Sequence, residues 1–284
     1  MNRTFTTYIL DLIGKNSFFP ILLFSAFFIS SCSGKHGGAQ TFLNEAELAY
    51  SSGNYSLAKL KVDSIRLEHP QAFEAIRAGQ DLMQKIRMAE NIRNIRFCDS
   101  MLEVNYTSLN SLKKKFKYER DPHYQEFGYY TPISFPLTDA FNQSSLRAAV
   151  SEKGQLYIES VWMGGSINHN KIKVATKDGA FVESLVVTDD GLNYKINTLD
   201  KRYEIVRFQG NDDNGVALFI FTYKDSPLTL TFMGGNNRSI PLSNKSKEAV
   251  AITYEMSALL LEIENLKYEK GRSEALIQYL ESKM

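Results

Sequence analysis

Between Gln71 and Tyr118 the sequence contains no proline, and Gly79 is its only glycine. Those two residue types interrupt helices, so a stretch this free of them predicts one long helix. Met88, Ile92, Ile95, Leu102, Leu109, Leu112 and Phe116 recur along it at three, four or seven residues, a coiled-coil-like stripe with Asp99 and Asn105 close to its seam. Such a stripe must be buried against something. A matching pattern lies over 246–268, where Ile252, Met256, Leu259, Ile263 and Leu266 keep a strict four-three alternation. Ser243 or Ser246 is placed to cap this second helix, with Glu248 early in it. Gly271 is expected to end it, and Arg272 to Lys283 to form a short last helix. The two long helices are expected to pack antiparallel, so the chain leaves a helical arm, builds something else and returns.

What it builds in between reads as β structure. Leu146 to Ser151 and Leu156 to Trp162 flank Glu152-Lys153-Gly154-Gln155, and Lys171 to Thr176 and Phe181 to Thr188 flank Lys177-Asp178-Gly179-Ala180: two hairpins. Asp189-Asp190-Gly191 turns into Tyr194 to Asn197. Tyr203 to Phe208, Val216 to Tyr223 and Leu228 to Phe232 follow. About eight short strands at regular spacing predict an antiparallel sandwich or jelly-roll-like domain. Ala217 to Phe221 is apolar throughout, which predicts a central strand. Leu228, Leu230 and Phe232 alternate with threonines, which predicts a strand with one wetter face.

The balance of charges narrows the function classes. The 284 residues carry a net charge of +1, with 43% hydrophobic and 23% charged residues. That is a folded globular chain without the basic excess of a nucleic-acid binder. Its two cysteines are Cys32 and Cys98. If Cys32 is used for attachment, Cys98 has no partner, and neither a disulfide framework nor a cysteine zinc site can form.

Cys32 ends an apolar run. Arg3 and Lys15 supply positive charge, Phe18 to Phe28 is almost wholly apolar, and Ile29-Ser30-Ser31 leads into Cys32. The run has the length of a signal-peptide core rather than of a bilayer span, and extending it to Tyr8 would bring in Asp11 and Lys15. Ile29-Ser30-Ser31-Cys32 resembles the lipobox of bacterial lipoproteins. The resemblance implies removal of residues 1–31, diacylglycerol on the Cys32 thiol and acylation of the new amino terminus. Asp11 departs from the usual basic front region. Ser33 after Cys32 implies the outer membrane of a two-membrane bacterium, facing the periplasm. Residues 32–39, with Ser33-Gly34-Lys35-His36-Gly37-Gly38, read as a flexible tether.

The next segment, 42–70, resembles one tetratricopeptide repeat. Ala46 and Ala58 occupy its small positions, Ala49 falls at the aromatic position beside Tyr50, Gly53-Asn54-Tyr55 makes the turn, Val62 is apolar and Pro70 terminates it. Ile65 stands where a small residue is expected. No second full repeat follows, and one copy must borrow packing from elsewhere.

Little in the chain resembles reaction chemistry. His36, His69, His123 and His169 have no metal-ligand spacing, and each reads as an ordinary surface or turn residue. There is no Gly-x-Ser-x-Gly elbow and no phosphate-binding glycine loop. Asn211-Asp212-Asp213-Asn214-Gly215 brings oxygen ligands together but lacks calcium-loop spacing, and these are also turn residues. Met163-Gly164-Gly165 recurs as Met233-Gly234-Gly235, each at a strand end. Lys113-Lys114-Lys115-Phe116-Lys117 reads as a solvated helix end, or a contact for an anionic envelope polymer. Phe127-Gly128-Tyr129-Tyr130, near Pro132, Phe135 and Pro136, offers aromatics that either pack the joint of arm and β domain or stack on a sugar or peptide.

The expectation is therefore an α+β protein. Its parts are a signal peptide over 1–31, a tether over 32–39, a helical arm over 40–126 (repeat-like hairpin plus long helix), an antiparallel β-sandwich-like domain over 127–243, and C-terminal helices over 244–284 packing on the arm. No catalytic residue, metal ligand or cofactor site is assigned. The expected function is a lipid-anchored envelope module that binds or scaffolds a partner protein. The alternatives are glycan binding through Tyr129, Tyr130 and Trp162, and an envelope enzyme.

Overall fold

In the computed structural model, residues 34–136, 142–188, 191, 193–198 and 201–283 are described. The expected signal peptide and Cys32 lie outside them. The fold is α+β, with N-terminal helices, a C-terminal helix and two antiparallel sheets. The chain divides into two compact units, Met1–Asp81 and Leu82–Met284.

In the first unit, α1 (Gly34–Ser51) and α2 (Tyr55–Glu68) form a hairpin. The turn is the expected one: Gly53 takes φ +75°, which a side chain would resist, and the Asn54 side chain accepts from the Leu57 N–H to cap α2. Ala46, Ala49, Ala58, Val62 and Ile65 are all buried. The first turns of α3 (Phe73–Lys113) belong to this unit, and Gly79 lies against α2, where an added Cβ would sit 3.3 Å from Val62 and 3.4 Å from Ile65. The large Ile65 is thus accommodated by a small residue on the neighbouring helix. One expectation changes: α1 begins at Gly34, so most of the stretch read as a tether is helical, and Ala39 is buried.

The second unit is built on ten strands among the described residues. The larger sheet runs β1 (Phe116–Glu119), β2 (Tyr129–Pro132), β3 (Ser145–Ser151), β4 (Leu156–Met163), β8 (Arg202–Gln209), β7 (Asn193–Asn197). The smaller runs β10 (Arg238–Pro241), β9 (Leu228–Gly234), β5 (His169–Thr176), β6 (Phe181–Glu183). One core joins them: Leu146, Ala148, Ile158, Val206 and Phe208 from the first, Ile172, Val174, Leu230 and Phe232 from the second. The β3–β4 and β5–β6 hairpins lie where the turn residues put them, and β9 alternates as its threonines predict, Leu228, Leu230 and Phe232 inward.

The strand expected over Phe181 to Thr188 ends at Glu183, and three further elements differ from expectation. Val216–Thr222 is a helix, α4, not a central strand. A run apolar at every position has no period of its own, and the surroundings decide. Asn214 and Gly215 turn left-handed, and the Asp213 carboxylate accepts from the Ala217 N–H, which starts a helix whose Val216, Ala217 and Ile220 face the core. The long helix stops at Lys113, and Phe116 opens β1. At the other end, α5 (Asn244–Glu281) passes straight through Gly271 rather than breaking there. Ser243 caps it, accepting from the Ser246 N–H. The expected antiparallel pairing is present within this unit: Asn94 bonds Ser273, Asp99 pairs with Lys270, and Leu109 and Leu112 share a cluster with Met256, Leu260 and Ile263. Asn105, near the seam as expected, is buried with its Nδ2 unpartnered among the described residues.

Candidate functional site

The densest polar arrangement lies where the chain crosses from β4 to β5, between the two sheets. Glu204 on β8 holds this corner. Its Oε1 accepts from the backbone N–H groups of Ile167 (2.9 Å) and Asn168 (3.0 Å) and from the Ser166 hydroxyl (2.8 Å). Its Oε2 accepts from the His169 N–H and lies 3.1 Å from His169 Nδ1. With Nδ1 carrying its proton toward the carboxylate, Nε2 is left to accept from the Ser160 hydroxyl at 2.8 Å. Burial pushes the Glu204 carboxyl up, but the amides of Asn168 and His169, the His169 ring and the Ser166 hydroxyl outweigh it and hold the pKa at about 2. Burial lowers the His169 pKa, against the opposing pull of Glu204.

Serine, histidine and carboxylate in that order are the parts of a nucleophile, its base and the base's orienter. Here they are sealed. Ser160 is 0% exposed, the Phe232 ring meets His169 edge-on at 5.2 Å, and Trp162 packs on Phe232 at 5.4 Å. No substrate carbonyl reaches Ser160 in this fold. What the network does is fasten the crossing loop, in which Asn168 is left-handed, to the larger sheet. Both Met-Gly-Gly motifs end there. Met163-Gly164-Gly165 enters the loop, and an added Cβ at Gly234 would sit 2.1 Å from the Asn168 carbonyl. The second motif has glycine because a backbone passes over it. His169, expected as a surface or turn residue, is instead buried in this network. Ser160, His169 and Glu204 lie on three strands with no motif among them, so no local signal marked them.

The three aromatics expected to form one ligand surface are not brought together. Tyr129 and Tyr130 are neighbours on β2 and therefore point to opposite faces. Tyr129 meets Tyr157 at 5.7 Å, whereas Tyr130 meets Tyr118 at 5.0 Å and packs on the Leu109–Met256 cluster. Trp162 lies near the other end of the ladder: Tyr130 is opposite Val150, which is opposite Leu156, and six more residues at about 3.3 Å each separate Leu156 from Trp162. Its indole N–H donates to the Gly165 carbonyl at 2.8 Å. Beside Tyr129, the Tyr157 hydroxyl is pushed up to about 12, chiefly by burial, and the half-exposed Arg207 guanidinium stacks 4.2 Å from the Tyr157 ring while pairing with Glu159.

The remaining candidates have local roles. The Asn211–Gly215 turn spends its oxygens on structure, Asp213 capping α4 and the Asp212 carbonyl accepting from the Leu185 N–H. Lys113 closes α3 and lies over the Tyr130 ring, and Lys117 pairs with Glu119 in β1. Cys98 is buried, and burial pushes its thiol up.

Exposed apolar side chains cluster on α5 and α3 within the second unit. Leu261, Tyr268 and Tyr279 are spaced seven and eleven residues apart and so share one side of α5. Beside them an open groove is lined by Glu90, Arg93, Phe97, Glu269, Arg272 and Leu276, with Phe97 58% exposed. Compared with known proteins, the chain matches no family model, no curated protein and no solved structure.

Proposed function

We propose that this chain is a lipid-anchored cell-envelope protein that binds or scaffolds a partner protein. Cys32 would carry the anchor, on the membrane facing the periplasm, and the described residues contain no helix long and apolar enough to cross a membrane. The observation that carries the binding reading is the groove between α3 and α5. It sets two apolar side chains, Phe97 and Leu276, among charges of both signs, the composition of an interface core with a polar rim. The test is crosslinking and mass spectrometry of the full chain in its native envelope, comparing wild type with Phe97→Glu and Leu276→Glu. Both positions face solvent, so the variants keep the fold. The expected result is one partner recovered with wild type and reduced about tenfold or more with each variant, as loss of an interface anchor implies. Recovery of the wild-type protein alone overturns the reading.

Carbohydrate binding by the β domain is the second reading. It draws on half-exposed Tyr129 beside Tyr157 and Arg207, where a sugar face has an aromatic and a guanidinium to meet. A Tyr129→Ala variant that still binds envelope glycan as wild type does removes it.

A further inference from the structure

The first unit has a second apolar stripe on α2 that its own packing does not use. Ala58, Val62 and Ile65 face the hairpin, whereas Leu57, Leu60 and Leu67, at spacings of three and seven, lie on the opposite side. Leu67 is 75% exposed, Leu60 61%, and Phe73, at the start of α3, 71%. These are large apolar side chains held in water, and the position of the first turns of α1 says what covers them.

The C-terminal end of α2 lies beside the N-terminal end of α1. The His69 ring packs against Gly38, where an added Cβ would sit 2.6 Å from its Nε2, and against Phe42, with ring centroids 5.8 Å apart. Leu67 and Phe73 flank His69, and the Ala72 N–H donates to the His69 carbonyl, so Phe73 stays within a turn of it. Gly38 is six residues from Cys32, and the chain is helical from Gly34. Four helical steps, and two more residues that reach at most about 3.5 Å each, put no more than about 13 Å of chain between them. No long leash separates the hairpin from the anchoring residue. A diacylated Cys32 holds the end of the unit that carries Leu67 and Phe73 at the headgroup layer.

We infer that this end of the first unit inserts into the membrane interface, with Leu67 and Phe73 entering the headgroup–acyl boundary and Leu60 following along the same face of α2. The inference rests on the lipid-anchor reading. Exposed Arg66 and Arg77 nearby are balanced by exposed Glu68 and Glu74, so the contact is apolar rather than electrostatic, and a zwitterionic surface suffices.

The experiment uses the full, lipidated chain on phosphatidylcholine vesicles containing a doxyl-quencher lipid. An environment-sensitive fluorophore is placed at Leu67→Cys, Phe73→Cys or Ser51→Cys in a Cys98→Ala background. Ser51 lies at the far end of α1 and is exposed. Labels at 67 and 73 are expected to be quenched about twofold or more by the lipid quencher, and the label at 51 to be unaffected, because interfacial segments sit only about 5–10 Å deep. Protein that floats with the vesicles while labels 67 and 73 stay as aqueous as label 51 overturns this inference and leaves the anchor standing. Protein that does not float with the vesicles overturns both. Labels at 67 and 73 that are already shielded without vesicles overturn it in favour of self-association.

Discussion

Glu204 accepts three backbone N–H groups and one hydroxyl, so removing its carboxylate strands several buried donors at once. Glu204→Ala is expected to destabilise the second unit by about 3 kcal/mol or more, read from urea unfolding. Acid acts on the same corner. Folded His169 holds its proton less tightly than an unfolded imidazole of pKa about 6.5, so below that pH the unfolded state takes up more protons and stability falls. Glu204 stays ionised in the fold down to about 2, whereas an unfolded carboxyl protonates near 4.3, so a further loss follows as pH drops through that window. The melting temperature should therefore fall from pH 7 toward 5, and the fall between about 6.5 and 5 should be smaller in His169→Gln. An unchanged slope in that variant would assign the acid loss to other groups. None of this was legible in the sequence. Ser160, His169 and Glu204 become neighbours only through the β4–β8 ladder and the crossing loop, and strand pairing leaves no short motif.

Along the elements, local rules succeeded where the chain is periodic and failed where it is not. The turn at Gly53-Asn54-Tyr55, the cap at Ser243 and the four-three stripe of α5 were readable because turns, capping and heptad burial act within a turn or two. Gly271 was misread as a stop. It sits exposed inside α5, and an added Cβ meets nothing within 4 Å. Gly271→Ala should then stabilise by about 1 kcal/mol, since only helix propensity changes. Gly79→Val should destabilise, because its Cβ space is bounded by Val62 and Ile65. Thermal melts of the two variants shifting in the same direction would refute this division. Asn105, in the α3–α5 seam, has a buried amide nitrogen with no partner among the described residues, so Asn105→Leu should raise stability by about 1 kcal/mol in the same measurement. The run Val216 to Phe221 failed as a strand because uniform hydrophobicity is compatible with either period. Left-handed Asn214 and Gly215 and the Asp213 cap chose the helix.

For the molecule as a whole, the two units differ in how they are held. The first packs α1 on α2 largely through alanines, whereas the second has a core of large side chains from both sheets, α4 and α5. Hydrogen exchange should find the slowest amides in β4, β5, β8 and β9 and faster exchange in α1 and α2, because protection follows buried contact density. Equal protection throughout would contradict this. By itself the sequence determined the α+β composition, the hairpin with its Gly53 turn, the two long amphipathic helices and most of the strands. Each is written in a period or a turn residue that acts over a few positions. Only the tertiary structure decided that Tyr129, Tyr130 and Trp162 part company, that α4 is helical, that both Met-Gly-Gly motifs serve one loop, and that Leu67 and Phe73 lie beside the first turns of α1. Those outcomes depend on which face a strand turns inward and which helix ends meet. Such contacts between distant residues are set by packing, not by neighbours in the chain.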